Sequence, residues 1–464
     1  MNKSDKKTIS EPLVALIISS LAAFVTPFLG SSVVIALPAV GREFHLNTIT
    51  LSWITMSYLL SLAALLLPLG RVGDICGRKK VFSIGLLILF LSSLAITIGH
   101  SAALIIIMRI IQGIGGAFIF STGTAILLSV TPLADRGKAL GITVACTYIG
   151  LSMGPFLGGF LTEHFGWRSL FFAVAPFLLL NLILVFLFLK GEWADADGEK
   201  FDVQGSWTFA VSIILFMYGF SHLPGLHGII TLIMGIAGLI LFTHMENRTE
   251  SPIMKTNLLF SNRVFAFSNL AALINYSATF ATGFLLSLYL QYIKGMSPLE
   301  AGMILFWQPA MMALFSPLAG RLSDRVQPGI IASAGMALSA TGLLLLTQIG
   351  EYTNINYIIA SLMLLGYGFA LFSSPNTNAV MSSVEKKDFG VASAILGTMR
   401  SVGQVMSMGI ATLILSVYLG KSTVTPGNHH IFISGLKISI VVFAATCIAG
   451  VAASKVRGNV QRKA

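Results

Sequence analysis

The stretch GRVGDICGRKK, from Gly70 to Lys80, concentrates charge in a chain of which only 10% is charged. It lies between two long apolar runs. Asp74 can accept hydrogen bonds from the N-terminus of a neighbouring helix, where the dipole favours an anion, and Arg71 and Arg78 can pair with carboxylates or lipid phosphates. The stretch therefore predicts reversible ion pairing and hydrogen bonding, and its glycines at 70, 73 and 77 are expected to allow a tight turn and close helix approach.

A second copy of this pattern, GRLSDR, occupies Gly320 to Arg325, where Arg321 and Asp324 repeat the Gly-Arg-x-x-Asp spacing. We name residues 70–80 the first knot and residues 320–325 the second knot. A single knot fits a plain basic anchor at a membrane surface equally well. The repeat favours a latch that pairs in one conformation and releases in another.

The stretch RIIQGIGGA places Arg109 inside an apolar run, with Gln112 one turn later on nearly the same face. An arginine at the centre of a membrane helix costs at least ~2.5–3.5 kcal/mol on insertion scales unless it is paired or hydrated, so it is a functional candidate. The alternative is a side chain that extends to the membrane surface. The position of Arg109, several residues inside the run, disfavours that alternative.

The stretch GLSMGPFLGG carries Gly150, Gly154 and Gly158 at four-residue spacing, with Pro155 and Gly159 beside them. Small residues at this spacing let another helix approach closely, and the proline removes one backbone donor and bends the helix. This strip predicts a hinge or seal between helices, without contact to a substrate.

The apolar runs around these stretches define the elements that must position them. The chain has 464 residues, 55% of them apolar, and a mean hydropathy of +0.86. A helix that crosses the hydrocarbon takes roughly 20 apolar residues, and only helices satisfy their backbone within one segment, which predicts an all-α integral membrane protein. We predict fourteen spans at about 12–38, 49–69, 81–98, 102–130, 140–161, 169–189, 204–221, 227–243, 264–292, 300–318, 329–349, 354–376, 391–418 and 432–452.

The basic residues are distributed unequally between the two sides that these spans define. Of the 29 Lys and Arg residues, three fall inside spans, four lie on one side, and all others lie on the opposite side. The three are Arg109, Arg400 and Lys437, and the four are Arg42, Arg168, Lys294 and Lys421. By the positive-inside rule both termini are expected in the cytoplasm of a multi-pass cell-membrane protein. The first apolar run is too long for a signal-peptide core and is expected to be a retained span.

The chain divides into two halves around the polar stretch KGEWADADGEKFDV, residues 190–203, which we name the connector. We predict a first six-helix bundle at 1–189, the connector with two inserted helices at 190–263, and a second six-helix bundle with a tail at 264–464. The knots follow the second span of each bundle. Repeated halves are the usual plan of secondary transporters, with the substrate site between them.

Other functions fit the sequence less well. The net charge of +11 lies in short loops and forms no continuous face for a nucleic acid. The three cysteines stand alone and give no disulfide or metal spacing. A membrane enzyme is the alternative from another class, but the eight histidines fall in loops or at span ends, and no phosphate-binding loop points to ATP hydrolysis.

Taken in order and at the right spans, the first knot, the Arg109 stretch and the glycine strip resemble the signature motifs of the major facilitator superfamily. The segments SWITMSYLL (52–60), GWRSLFFAVAP (166–176) and FDVQG (201–205) are similar to its fourteen-span drug:proton antiporter branch. The resemblance implies the major facilitator fold and a multidrug-efflux exporter that works by alternating access, driven by an inward proton gradient. It also implies that Asp74 belongs to a latch between the halves and Arg109 to coupling.

The first span departs from that branch, which commonly carries an aspartate shortly before a V-A-L-P stretch. Here the region reads FVTPFLGSSVVIALP (24–38), and Leu29 stands at the place of the acid. None of the 18 carboxylates lies in the middle of a predicted span. A bound cation in low dielectric needs a counter-charge, so the preferred substrates are expected to be neutral or anionic amphipaths. If transport is coupled to protons, the proton is expected to be carried by a carboxylate at a span edge, such as Glu163 or Glu300, or by the substrate itself.

Polar and aromatic residues on the spans that line the pathway in this family are the candidate substrate site, although any single aromatic residue can equally face lipid. The amides are stronger candidates, because an amide in lipid needs a partner. The candidates are Trp53, Tyr58, Asn275, Tyr276, Trp307, Gln308, Asn376, Arg400 and Gln404. No cofactor is expected beyond the proton gradient. The partners expected are a small-molecule substrate and membrane lipids around a monomer. Uptake is the alternative to export.

Overall fold

The computed structural model describes residues 11–132, 135–249, 251–254, 262–385, 389–420 and 422–456. In this part of the chain fourteen helices are long and apolar enough to cross a membrane, and no strand is present there. The predicted all-α fold with about 14 spans is therefore confirmed. The spanning helices are α1 Glu11–Phe44, α2 Thr48–Cys76, α3 Arg78–Thr97, α4 Ala102–Val130, α5 Arg136–Phe165, α6 Arg168–Phe188, α7 Val203–Ser221, α8 Leu226–Glu246, α9 Arg263–Ile293, α10 Pro298–Ser323, α11 Pro328–Leu346, α12 Ile355–Ser382, α13 Phe389–Leu419 and α14 His429–Val456.

Several helices continue beyond their apolar runs, and this changes the expected shape of the first knot. Gly70 and Gly73 lie inside α2, where Gly73 lets the backbone approach Thr122 of α4: a Cβ there would lie 2.6 Å from its methyl group. Gly77 alone makes the turn, with a φ of +101° that favours glycine. The expected tight turn is thus made at Gly77 and the expected close helix approach at Gly73, because the hydrogen-bonded helix extends past the apolar residues.

Two helices of the second half contain breaks that the apolar pattern does not indicate. α9 consists of Arg263–Thr279, Ala281–Leu288 and a π-helical turn at Tyr289–Ile293. α10 consists of Pro298–Leu305 and Trp307–Ser323. Such irregular turns occur often at functional sites.

The helices pack as two groups with an added hairpin. Helices α1 to α6 contact one another, as do α9 to α14, while α7 packs against α8 and also touches α2 and α13. The halves meet mainly through α2 against α13 and α5 against α10. This grouping agrees with the predicted plan, whereas the domain boundaries after residues 189 and 263 stay predictions.

The two knots lie at the same end of the molecule. Met56 contacts Thr412, and Leu66 approaches Gly397, so α2 and α13 run antiparallel and the end of α2 lies beside the start of α13. Successive spans alternate in direction, which brings the second knot to this end as well. We name the end with the knots and the connector the basic end, and the opposite one the distal end.

Both described ends of the chain also lie at the basic end. The Glu11 carboxylate accepts a hydrogen bond of 3.1 Å from the Gly191 backbone N–H in the connector. Ser454 near the end of α14 hydrogen-bonds Ser333 in the first turns of α11, at 2.8 Å. Residues 1–10 and 457–464 are outside the described part of the chain, and so is Lys421.

Candidate functional site

The first knot is held by ionic contacts with the connector. Arg78 bonds Asp74 at 2.7 Å and Asp195 of the connector at 2.7 Å, and it donates to Ser129 of α4 at 3.1 Å. The connector backbone also binds the first knot: the Ala196 N–H donates to the Asp74 carbonyl oxygen at 3.0 Å. In the described residues Asp74 thus binds its own half and the connector, whereas the sequence predicts a neighbouring helix N-terminus.

Further contacts tie the knot to the same segment. Arg71 pairs with Glu199, and the Lys79 ammonium donates to the Leu189 carbonyl oxygen. The Lys79 N–H donates to the Glu192 carboxylate at 2.8 Å. The connector therefore forms a strap across the basic end of the first half, which the repeat of the knots alone does not indicate.

The second knot has a simpler arrangement. Asn378 of α12 donates to Ser323 at 2.8 Å and to Asp324 at 3.3 Å. Arg321 is exposed one turn earlier. The two copies share their place in each half but differ in partners, and the predicted latch role of either copy stays a prediction.

Arg109 is fully buried, which is inconsistent with a side chain that extends to the surface. Its guanidinium donates to the Ile54 carbonyl oxygen at 3.1 Å and to Gln112 at 2.9 Å, and it lies 4.4 Å from the centre of the Tyr58 ring. Gln112 donates in turn to Ser93 of α3 at 2.9 Å. The arginine is therefore satisfied by amide, carbonyl and π-electron groups rather than by a carboxylate, and one of its nitrogens has no hydrogen-bond partner.

Arg400 belongs to a polar cluster between the two halves. It donates to Thr377 of α12 and lies 5.7 Å from the centre of the Tyr276 ring. Tyr276 also lies near the Ser373 side chain of α12, and Ser373 accepts a hydrogen bond of 3.2 Å from Tyr148 of α5. We name these five residues the central cluster.

The central cluster combines residues that the sequence predicts with residues that it does not. Arg400 and Tyr276 are predicted, and half-buried Gln404 follows Arg400 by one turn. Tyr148, Ser373 and Thr377 are not predicted. A four-residue spacing places Ser373 and Thr377 on one face of α12, and this signal could have identified them.

The two predicted asparagines are buried within the second half. Asn376 donates to the Ser268 carbonyl oxygen at 3.0 Å and so ties α12 to α9. Asn275 faces Cys447 of α14, and its amide nitrogen is buried without a hydrogen-bond partner. In this conformation both amides are packed between helices of the second half, whereas the sequence predicts that they line the pathway.

The predicted tryptophans also lie away from the cluster. Trp53 packs on Tyr218 and His222 of the inserted helix α7, with ring centres 6.4 and 6.1 Å apart. Trp307 is 39% exposed at the break in α10. Gln308, beside it, is half-buried, and its carbonyl oxygen lies against Gly366. These contacts match the alternative in which such side chains pack at lipid-facing or inter-helix surfaces.

The glycine strip of α5 packs against α1, as its spacing predicts. A Cβ at Gly150 would lie 2.3 Å from the Phe24 carbonyl oxygen, and one at Gly154 would lie 1.8 Å from the Ser31 hydroxyl. Gly158 similarly faces Ser32. These positions leave no room for a side chain, and the hinge role of the strip stays a prediction.

The next positions of α5 meet the other half. A Cβ at Gly159 would lie 2.4 Å from the Pro298 carbonyl oxygen, and one at Gly302 would lie 2.2 Å from the Pro155 carbonyl oxygen. The strip therefore serves two interfaces, with α1 on one side and α10 on the other.

The halves are joined at the distal end. Near this end Gln291 donates to the Ile35 carbonyl oxygen at 2.9 Å, and Ser287 donates to the Val34 carbonyl oxygen at 3.0 Å. Toward the basic end Gly137, Gly141 and Gly390 face open space, with no atom within 4 Å of an added Cβ.

Carboxylates are confined to the helix ends in the described residues. Each one within a spanning helix lies in the first or last three positions of that helix, and these are Glu11, Glu43, Asp74, Glu163, Glu246 and Glu300. Leu29, at the place of the acid in the similar branch, is buried in α1. The charges described away from the ends of the spanning helices are therefore positive.

Comparison with known proteins identifies the family. The model of the Major Facilitator Superfamily matches residues 19–268 and 268–456. Over 412 residues the chain is 29% identical to the riboflavin transporter RibZ of Clostridioides difficile (strain 630), which covers 88% of each chain. It is 29% identical to the multidrug resistance protein Stp of Mycobacterium tuberculosis, over 88% of this chain and 77% of that protein. The tetracenomycin C resistance and export protein of Streptomyces glaucescens is 28% identical, over 84% of this chain and 73% of that protein. With fourteen apolar helices and a match along nearly its whole length, this chain belongs to the Major Facilitator Superfamily and is a multi-pass membrane transporter similar to the drug-efflux type rather than an enzyme.

Proposed function

We propose that this transporter exports small amphipathic compounds, neutral or anionic by preference, across the cell membrane by proton-coupled alternating access. The basic end is then cytoplasmic, with both termini, because the side rich in Lys and Arg stays inside. The transporter works as a monomer among lipids and without a cofactor. Protons enter the cycle through a helix-end carboxylate or together with the substrate.

The observation that carries the proposal is the central cluster. Its only charged member is Arg400, whose Nε atom is buried without a hydrogen-bond partner, and Tyr148, Tyr276 and Ser373 add hydroxyl groups. An anionic or strongly accepting group of a substrate can bind both the guanidinium and the hydroxyls. A cationic substrate would meet the positive charge of Arg400 without a counter-charge from the described interior.

Relatives support export as the direction. The multidrug resistance protein Stp and the tetracenomycin C resistance and export protein carry export or resistance in their names. Uptake is the second candidate, because a relative of equal identity is named a riboflavin transporter. A direct test is flux in proteoliposomes with a pH gradient of either sign. Export by antiport predicts substrate movement against the proton flow, whereas uptake by symport predicts movement with it.

Replacing Arg400 tests the substrate class. We expect Arg400→Gln to weaken binding of anionic amphipathic dyes by about 10- to 100-fold, since hydrogen bonds to charged groups contribute roughly 1.5–3 kcal/mol. Arg400→Lys keeps the charge and is expected to lose less. The measurement is dye binding and efflux by the purified protein in liposomes, with Lys437→Gln as the control at a second positive charge within a span. Strong export of quaternary cationic dyes by the unaltered protein would contradict the proposal.

A further inference from the structure

We propose that Glu163 is a pH-sensitive clasp between the two halves: its carboxylate on α5 caps the first turn of α10 and holds the distal end closed, and its protonation releases that end. The proposal depends on the alternating access of the family and on neither the substrate nor the direction of transport.

The first turn of α10 has one backbone donor that its own half leaves free. Pro298 has no N–H. The Glu300 N–H donates to the Ser297 hydroxyl at 3.2 Å, and the Ala301 N–H donates to the Ser297 carbonyl oxygen at 3.0 Å. Leu299 remains, and its N–H donates to the Glu163 carboxylate at 3.0 Å. Glu163 therefore completes a helix cap that the second half does not complete by itself.

The hydroxyl of the cap residue lies beside this link. Ser297 accepts a hydrogen bond from the Glu300 N–H, and its side chain lies near the Glu163 carboxylate. The Glu300 carboxylate is turned back to the Ser297 N–H at 2.9 Å, in a capping box within its own half. Two acidic side chains thus serve one helix N-terminus, but only Glu163 reaches it from the other half.

Close backbone contact keeps Glu163 in position. Gly159, one turn before Glu163, lies against Pro298, and Gly302, one turn into α10, lies against Pro155. Because neither glycine leaves room for a Cβ, the two helices approach at the level of the backbone. The carboxylate therefore lies beside the positive end of the α10 dipole.

Protonation would weaken each of these interactions. A neutral carboxyl group accepts weaker hydrogen bonds than a carboxylate and is not attracted by a helix N-terminus. Glu163 is exposed, so it exchanges protons with the medium at the distal end. Because it meets that medium in both conformations, it adjusts the closed population to distal pH and does not carry a proton across.

Other charged groups near the clasp do not explain the same response. His164 follows Glu163 on α5, and its positive form would favour the Glu163 carboxylate. Glu300 is bound within α10. Arg168 of α6 is bound to Glu43 of α1 at 2.7 Å. Acidification therefore opens the distal end through Glu163, and the charge on His164 opposes that effect.

Distance measurements across the distal end test the clasp without any substrate. Spin labels are placed at two exposed positions of the full chain, Phe165→Cys on α5 and Tyr352→Cys in the loop before α12, after Cys76 and Cys146 are replaced by serine. The pair is measured in lipid nanodiscs by pulsed electron resonance from about pH 8 to about pH 4, a range that includes ordinary carboxyl titration.

The expected result is a longer distance population that grows on acidification. Glu163→Gln should show this population at every pH, raised on the order of two- to fivefold over the unaltered protein at about pH 8, the size of a charge effect at an exposed helix N-terminus. Glu300→Gln is the matched control, because it removes an acid at the same helix N-terminus but within one half, and it should keep the pH response. His164→Gln should keep it too.

Two outcomes overturn the clasp: a pH response that survives in Glu163→Gln, or one that is lost in Glu300→Gln as completely as in Glu163→Gln. Thermal unfolding in detergent shows whether each variant is folded. Because the distance readout needs no substrate, a failed export assay leaves it unaffected, and a failed clasp leaves the proposed substrate class in place.

Discussion

At the scale of single residues, the two interior arginines occupy different environments. Arg109 is fully enclosed by α2, α3 and α4 and bonds Ile54 and Gln112. Arg400 is half-buried at the interface of the halves, where it donates to Thr377, one turn from the Ser373 that accepts from Tyr148 of the opposite half. The first is arranged as an internal support of its bundle, and the second as a group that a ligand can reach.

The burial of Arg109 without a carboxylate partner predicts that transport requires this residue and that folding stability does not. A buried charge without a carboxylate partner is costly, and replacing it together with its polar partner by apolar groups is often neutral or stabilising. We expect Arg109→Met with Gln112→Leu to unfold at or above the temperature of the unaltered protein while transport is lost. Thermal unfolding in detergent and flux in proteoliposomes measure the two effects. Retained transport in the double variant would show that Arg109 has no part in the cycle.

At the scale of elements, α5 joins three partners along its length. Its glycine strip packs on α1, Gly159 and Pro155 meet α10, and Tyr148 reaches α12. In its part toward the basic end, from Arg136 to Ile149, half of the residues are exposed. Movement of α5 against α10 would therefore alter both the central cluster and the Glu163 clasp.

A matched pair of glycine substitutions in α5 tests this packing. A Cβ at Gly150 would lie 2.3 Å from the Phe24 backbone, whereas Gly141 in the same helix has open space. We expect Gly150→Ala to destabilise the protein by about 1–3 kcal/mol through overpacking. Gly141→Ala should be neutral or stabilising by about 0.5–1 kcal/mol through helix propensity. Thermal unfolding measures the stability of both variants. Equal stability of Gly150→Ala and Gly141→Ala would contradict the close α1–α5 contact.

Much of this element-level plan is predictable from sequence, because apolar length and charge placement respond to the membrane itself. The spans, the strip that begins at Gly150 and the shared end of the two knots follow from local patterns. The strap formed by residues 190–203 and the cluster partner Tyr148 do not, because they depend on how distant helices pack. The extension of α2 through Gly73 is missed for another reason: backbone hydrogen bonding continues where apolarity stops.

At the scale of the whole molecule, the structure is one of the two states that the proposed alternating-access cycle needs. The halves touch through α1 with α9 and α5 with α10 near the distal end, while Gly141 of α5 and Gly390 of α13 face open space toward the basic end. A second state must break the contacts of Gln291 and Glu163 and bring the basic end together. In that state the knots would lie closer to each other than they do here, which is where a latch between them would act.

The proposed cytoplasmic placement of the basic end and its accessibility to solvent are tested together by thiol labelling. Ala145 lies exposed on α5, one turn before Tyr148, and Phe165 lies 68% exposed at the distal end. In a chain with Cys76 and Cys146 replaced by serine, a membrane-impermeant maleimide should label Ala145→Cys in inside-out vesicles and Phe165→Cys in right-side-out vesicles. Cys447 is buried and should stay unlabelled in both. If Ala145→Cys is labelled only from the outside, the orientation is the reverse of the proposed one. If Ala145→Cys is not labelled in inside-out vesicles, the basic end is closed in the resting protein.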